Sequence, residues 1–359
     1  MNKEKTKKTK KVTKKVQQPQ PMILKIVEDY NKFVNVNRWF SYHGCNTFII
    51  IGGRGIGKTT GLNVHNIKSY MSDGDEFLYT RRYITELKKT KTMLNPLVSG
   101  TKCVGLGHGL MQWENNGVRI GYGCALTAQQ SFKSGTDFSK VKVLVYDEAI
   151  LPPGGAYRYL PNEIEMLFEL ISTVFRTRTD YKVFIIGNNA DMFNPYFAYF
   201  NIPKFENIYV DKKRALYCEL CKNSPALLEA EKETPLYKLT QGTNYAEYHY
   251  NNAVLNDSTG KIGVKSSFAK LVCRFVYNTV TINFYRQRWN QWFAELKDKP
   301  IKDDKSYILM ENNKPNYLYI TQLRKDDIAK LINVCYYNGY IYFDNPKCSA
   351  IFDLIMEVL

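Results

Sequence analysis

Nowhere in these 359 residues is there the run of about 20 apolar side chains that an α-helix needs to cross a bilayer. A helical membrane span is thereby excluded. The basic start runs into Gln17, Gln18, Pro19, Gln20 and Pro21 instead of the apolar core of a secretion signal, so the expected location is the cytoplasm. Cysteine occurs eight times without a regular spacing. Only Cys218 and Cys221 form a close pair, no second pair accompanies them, and His249 lies well downstream, so a full zinc ligand set is not legible. Residues 215–221 read better as a strand with small apolar fillers, its thiols reduced. Acidic residues are the scarcer charge, 34 Asp+Glu against 50 Lys+Arg, for a net +16. That excess suits a polyanionic partner but does not identify one.

What the chain does have is concentrated chemistry. Gly52, Gly53, Arg54, Gly55, Ile56, Gly57, Lys58 and Thr59, with Thr60 next, follow the apolar run 48–51 and precede a helix-compatible stretch. Strand, glycine-rich loop and helix in that order make a triphosphate cradle. The glycines let backbone N–H groups close on phosphate oxygens, Lys58 brings a point charge to the β- and γ-phosphates, and the Thr59 hydroxyl suits Mg²⁺. ATP and Mg²⁺ are the expected ligands.

Residues 141–146 read as a buried strand of apolar and β-branched side chains, and it ends in Asp147 and Glu148. An Asp there can orient Mg²⁺, and the adjacent Glu can polarise the water that attacks the γ-phosphate. Transfer to a hydroxyl, as in kinases of this loop class, does not need that Glu, so the pair favours hydrolysis. A third strand, residues 181–186, ends in Gly187, Asn188 and Asn189. Asn188 is either a γ-phosphate sensor at the carboxyl edge of a parallel sheet or a turn-forming Asn. Residues 162–175 form an amphipathic helix with Ile164, Leu167, Phe168, Ile171 and Phe175 on one face. Arg176 and Arg178 follow it. They either complement the helix dipole or offer one arginine finger to a neighbouring subunit, Arg176 ahead of Arg178.

The string GGRGIGKTT at 52–60, Tyr79-Thr80-Arg81-Arg82-Tyr83, Tyr146-Asp147-Glu148, Tyr159-Leu160-Pro161-Asn162-Glu163, Thr173-Val174-Phe175-Arg176 and Asn194-Pro195-Tyr196-Phe197 resemble, in order and spacing, the DNA-packaging ATPases of small tailed phages of the Picovirinae type. Resemblance is dense over residues 47–200 and returns at 338–345. It implies a homo-oligomeric ring motor, usually pentameric, docked on the portal protein at the prohead vertex in the host cytoplasm. Such a motor drives double-stranded DNA inward by ATP hydrolysis, with a packaging RNA ring between ATPase and portal. The implied fold is an α/β P-loop NTPase of the additional-strand, catalytic-glutamate class, followed by a vestigial ribonuclease H-like nuclease domain. Carried over by position, Lys58 and Thr59 match the nucleotide loop, Asp147 the metal-orienting acid, Glu148 the catalytic base and Arg176 the trans-acting finger. Lys133 falls where the family also has a basic residue, although a plain surface lysine fits there as well.

The expected organisation is a disordered basic tail at 1–20, the ATPase at 21–222, a linker at 223–259 and a small α/β domain at 260–359. Eight lysines and one glutamate give the tail a local +7, and little beyond Val12 and Val16 could pack. It is either an arm for RNA or DNA phosphates or a solubilising extension. Good helix formers at 226–233 suggest a short helical linker ended by Pro235. Strand-like segments at 270–277 and 281–285 and a helix-like 350–359 follow. Aromatics among Arg274, Arg286 and Arg288 either stack on nucleic acid or pack as core. Asp303, Asp304, Asp326, Asp327 and Asp344 show no metal-binding spacing, which weighs against an active nuclease. Two alternatives to the translocating motor stay open: a large terminase that cuts DNA, and a non-catalytic, nucleotide-ordered RNA or portal scaffold.

Overall fold

The structure, a computed structural model, describes residues 22–26, 28–132, 135–151, 159, 160, 162–188, 194–200, 202, 203, 205–243, 246, 250, 261–277, 280–287, 291–309, 326–337 and 340–358. The lysine-rich tail, Lys133, His249 and Arg288 lie outside them.

The first sheet has nine strands: β1 (Thr47–Gly52), β2 (Glu76–Arg81), β3 (Thr101–Gly107), β4 (Leu110–Asn115), β5 (Val118–Ala125), β6 (Val141–Tyr146), β7 (Lys182–Asn188), β8 (Ile208–Asp211) and β9 (Leu216–Cys221). Helices α1 (Asn37–Phe40), α2 (Lys58–Asp73), α3 (Ile84–Lys89), α4 (Glu163–Phe175) and α5 (Pro195–Phe200) are interspersed with them. The order across the sheet is β3-β4-β5-β2-β6-β7-β1-β9-β8. From β5 to β9 every neighbouring pair is parallel, and β3, β4 and β8 are antiparallel additions at the edges. Parallel strands covered on both faces read as unbroken apolar runs, and Phe48, Ile49, Ile50 and Ile51 of β1 are all buried. Burying each such side chain contributes on the order of 1.5–3 kcal/mol.

Two consequences of this order matter for the site. Strand β7 lies between β1, which carries the glycine-rich loop, and β6, which ends in the acidic pair. Parallel register puts Gly52 beside Asn188 and Tyr146 beside Ile185, so the loop, the acids and Asn188 share the carboxyl edge of the sheet. The edge meander β3-β4-β5 was not foreseen. Its two-residue turns, His108-Gly109 and Asn116-Gly117, all have positive φ, as hairpins that match strand twist require.

Beyond β9 come α6 (Pro225–Lys232) and α7 (Pro235–Thr240). The helical linker is present, but Pro235 does not end the first helix. α6 stops at Lys232, and Pro235 opens α7 behind the Thr234 cap, where its missing N–H costs nothing. A second sheet holds β10 (Lys261–Ile262), β11 (Lys270–Tyr277), β12 (Val280–Arg286), β13 (Trp292–Lys297), β14 (Ser306–Leu309) and β15 (Ile341–Phe343), with α8 (Asp327–Tyr337) and α9 (Pro346–Val358). Its order is β10-β15-β13-β12-β11-β14. The strands β11, β12 and β13 form an antiparallel meander with β14 parallel to β11. Phe275, Phe284 and Phe352 are fully buried in its core, so these rings pack instead of presenting faces to nucleic acid. Among the described residues no helix is long and apolar enough to cross a membrane.

Candidate nucleotide site

The loop after β1 turns through Gly55 and Gly57, whose φ values of 82° and 89° suit glycine, and Gly57 hands over to α2. At Gly57 a Cβ would also sit 3.0 Å from Phe33 Cβ, so the loop has room for backbone only. Lys58 is buried, and its Nζ donates to the carbonyls of Gly52 at 2.7 Å and Gly53 at 2.8 Å. Burial pulls its pKa down to about 8, against the pull of Cys221 and Asp147. Ile56 is buried under the loop, whereas Arg54 and Thr60 are exposed.

The acids stand opposite. Thr59 Oγ1 lies 3.3 and 3.4 Å from the two carboxylate oxygens of Asp147. A hydroxyl and a carboxylate at that spacing form an oxygen donor set of the kind Mg²⁺ takes, so the residues fit the metal. The Tyr79 hydroxyl also donates to Asp147, and Arg81 pairs with both acids, at 3.2 Å to Asp147 and 2.8 Å to Glu148. Burial, reinforced by Asp147, pushes the Tyr79 pKa well up, so the phenol keeps its proton. Glu148 has a φ of 53°, donates its N–H to Asp147 Oδ1 at 2.9 Å, and keeps its side chain half exposed. A cavity of about 410 Å³ joins Gly55–Gly61, Asp147, Glu148, Gly187 and Asn188 into one pocket.

Behind the acids lies a network that the sequence reading did not foresee. Arg82 forms a two-pronged pair with Glu163 and donates to the carbonyls of Glu148 and Ala149. Tyr146 and Tyr196 donate to the same Glu163. Such pairing over long sequence distances has no local signal. The segment before β1, which walls the cavity with Ile26, Glu28, Asp29, Tyr30, Phe33 and Val34, was missed as well. Its Tyr30 and Phe33, aromatics a short reach ahead of the loop, were the available hint.

The two arginines after α4 differ sharply. Arg178 donates to the carbonyls of Ser139 (2.7 Å), Val141 (2.9 Å), Phe138 (3.0 Å) and Val174 (2.7 Å), which commits it to the fold. Arg176 is exposed, and its side chain makes no hydrogen bond or ion pair among the described residues. Both sit where β6 and β7 begin, the opposite edge from the pocket. The seven residues of β7 separate the two edges by about 20 Å, so Arg176 does not reach its own cavity.

In the second sheet most of these acids are tied to structure. Asp303 pairs with Arg274 and accepts from Ser306, Asp326 accepts the N–H groups of Ile328 and Ala329, and Asp344 accepts that of Leu296. Asp327 pairs with Lys330 at the surface, and Asp304 is exposed. Among the described residues no group of three or more His, Cys, Asp or Glu could hold a metal.

A parallel sheet with a phosphate loop after β1 and, one strand away on the same carboxyl edge, an acidic pair after β6 defines a P-loop ATPase. The model of the podovirus DNA encapsidation protein (Gp16) matches residues 28–358, and the chain belongs to that family. DNA packaging proteins of Bacillus phages PZA and phi29 are each 28% identical over 321 residues, covering 88% of this chain and 95% of theirs. The one from Bacillus phage B103 is 29% identical over 313 residues, or 84% and 94%. Of solved structures, the Phi-28 gp11 DNA packaging motor shares the fold, with TM-score 0.63 and 19% identity over 91% of this chain and 98% of that one. The bacteriophage Phi-29 viral genome packaging motor assembly aligns with TM-score 0.59 and 25% identity, covering 91% and 99%.

Proposed function

We propose that this phage DNA-packaging ATPase translocates double-stranded DNA into a prohead by hydrolysing ATP. The observation that carries the reading is the meeting of Lys58, Thr59, Asp147 and Glu148 around one cavity. The backbone from Gly52 to Gly57 would cradle the phosphates, with Arg54, Ile56 and Thr60 flanking them, and Lys58 would exchange its carbonyl partners for phosphate oxygens. Thr59 and Asp147 would hold Mg²⁺, which when bound screens the phosphate charge. Glu148 would accept the proton of the attacking water, and Asn188 would sense the γ-phosphate.

Strand β7 between β1 and β6, together with Glu148, supports the additional-strand, catalytic-glutamate class. The β13-β12-β11-β14 order supports a ribonuclease H-like C-terminal domain, and acids committed to caps and ion pairs support its being vestigial. We place the ATPase at 21–222, the linker at 223–259 and the second domain at 260–359. An Arg176 that is uncommitted and remote from its own pocket supports a trans-acting finger, hence a homo-oligomeric ring, pentameric on family grounds. A net +16 supports DNA and a packaging RNA as partners, and the packaging relatives support the portal vertex of the prohead, in the host cytoplasm, as the place of work.

The test is turnover by the assembled protein with and without DNA. Wild type should show DNA-stimulated hydrolysis, and Glu148→Gln should lose it about 10²–10⁴-fold while still binding ATP. A wild-type ring without turnover would leave only the scaffold reading.

A further inference from the structure

A carboxylate that holds a metal ion works only if its own orientation is held, because rotation about its last torsion turns its oxygens away from the metal. Four groups meet Asp147. The Tyr79 hydroxyl and Arg81 Nη1, the latter at 3.2 Å, both bind Oδ2, and the Glu148 N–H binds Oδ1 at 2.9 Å. Thr59 Oγ1 stands 3.3 and 3.4 Å from the two oxygens, on the side of the phosphate loop. Arg81 divides its guanidinium between Asp147 and Glu148. Tyr79 comes from β2, the strand beside β6, and is 2% exposed. With only two side-chain torsions, both confined by packing, its hydroxyl is a stiff anchor.

What confines Tyr79 is the edge meander. Register sets Tyr79 beside Gly123 of β5, Gly123 beside Met111 of β4, and Trp113 of β4 beside Gly121. A Cβ at Gly123 would come within 2.9 Å of Trp113 Cη2, and one at Gly121 within 2.6 Å of Phe77 Cε1, so the two glycines leave the room that these rings occupy. Trp113 is fully buried. It meets Tyr79 edge to face, centroids 6.1 Å apart at 84°, and lies against Phe77 at 5.8 Å and 25°. Both are favoured geometries for aromatic pairs. Its Nε1 donates to the Lys91 carbonyl at 3.1 Å, which keeps the indole from turning.

We infer that Tyr79 is a positioning residue for the metal: its hydrogen bond to Oδ2 holds the Asp147 carboxylate in the orientation that meets Mg²⁺, and the β3-β4-β5 meander braces it through Trp113. The inference rests on Thr59 and Asp147 being the residues that hold the metal. Tyr79 lies behind Asp147 and is not among the residues lining the cavity, so its loss should be felt by the metal and not by the nucleotide itself.

The test is Mn²⁺ binding, read by electron paramagnetic resonance of the free ion, to the full-length chain saturated with a non-hydrolysable ATP analogue. Tyr79→Phe keeps the ring against Trp113 and removes only the hydroxyl. It should raise the Mn²⁺ Kd about 10–100-fold, the cost of losing a partner that orients a metal-holding carboxylate. Binding of a fluorescent ATP analogue in EDTA should stay within about twofold of wild type, whereas a merely structural loss would move both affinities. In an Asp147→Asn background the same substitution should add no more than about twofold, because its effect passes through the carboxylate. Wild-type Mn²⁺ affinity in Tyr79→Phe overturns the inference, and so does an equal loss in the Asp147→Asn background. If Tyr79→Phe does not fold, Trp113→Phe carries the test, since it loosens the brace and leaves the hydroxyl in place. Mn²⁺ should then bind more weakly with metal-free nucleotide affinity kept, and unchanged Mn²⁺ affinity overturns the inference. If Asp147→Asn binds Mn²⁺ as wild type does, the metal site itself falls and takes the inference with it.

Discussion

Arg82 and Glu163 meet in the interior as a two-pronged pair, Nε to Oε2 at 2.6 Å and Nη2 to Oε1 at 2.9 Å, with side chains only 1% and 3% exposed. The same guanidinium reaches the carbonyls of Glu148 at 3.2 Å and Ala149 at 2.7 Å. The turn that carries Glu148 is therefore held from behind, which matters because a left-handed backbone at a non-glycine residue costs roughly 1–2 kcal/mol.

Removing one partner strands a buried charge. Arg82→Ala should lower unfolding free energy by about 3–5 kcal/mol in urea titrations. Arg82→Lys keeps a charge but not the fork, and should also lose most of the pair's contribution. A loss under about 1 kcal/mol in either variant would contradict the geometry.

Lys58 sets a pH dependence. Burial lowers its pKa from 10.5 to about 8, and a bound polyphosphate favours the charged form. Triphosphate affinity should therefore be flat below about pH 8 and weaken toward tenfold per unit above it. Lys58→Arg, charged throughout, should show no such decline. The sign for the empty fold is opposite: between about 8 and 10.5 the unfolded chain binds more protons at this group, so its stability term improves as pH rises. Titrating nucleotide binding from pH 7 to 9.5 checks the first statement.

The arginines after α4 should separate in experiment. Arg176→Ala should leave the melting temperature unchanged, and, mixed with wild type, a minority of mutant subunits should suppress turnover of the ring. Strictly proportional loss would argue against a shared site. Arg178→Ala, stripped of four carbonyl contacts, should cost stability on the order of 2–4 kcal/mol.

For the second sheet, supercoiled DNA incubated with the protein and Mg²⁺ or Mn²⁺ should stay unnicked. Metal-dependent nicking abolished by Asp303→Asn would revive the terminase alternative.

Local chemistry was legible and long-range chemistry was not. The glycine loop, the Val141–Tyr146 strand and its acidic pair announce themselves within a few residues, because backbone geometry and apolar runs are encoded locally. The helix at Glu163–Phe175 was visible through its periodicity, but nothing in that periodicity singles out Glu163 as the partner of a buried arginine. Its partner is 81 positions away, and only the fold joins them. The Lys68–Glu28 pair was invisible for the same reason, as it depends on α2 passing alongside. The Asn116-Gly117 turn between alternating strands was a readable hairpin signal that went unused.

Ser224, which caps α6, donates through Oγ to the carbonyl of Lys32 at 2.7 Å, two residues upstream of Val34 and its bond to the loop. The linker's first turn is thus tied by a hydrogen bond to the segment that walls the nucleotide cavity. Cys221, where the linker leaves the sheet, is itself paired with Gly52 at the start of the phosphate loop, so the linker touches the loop from two sides.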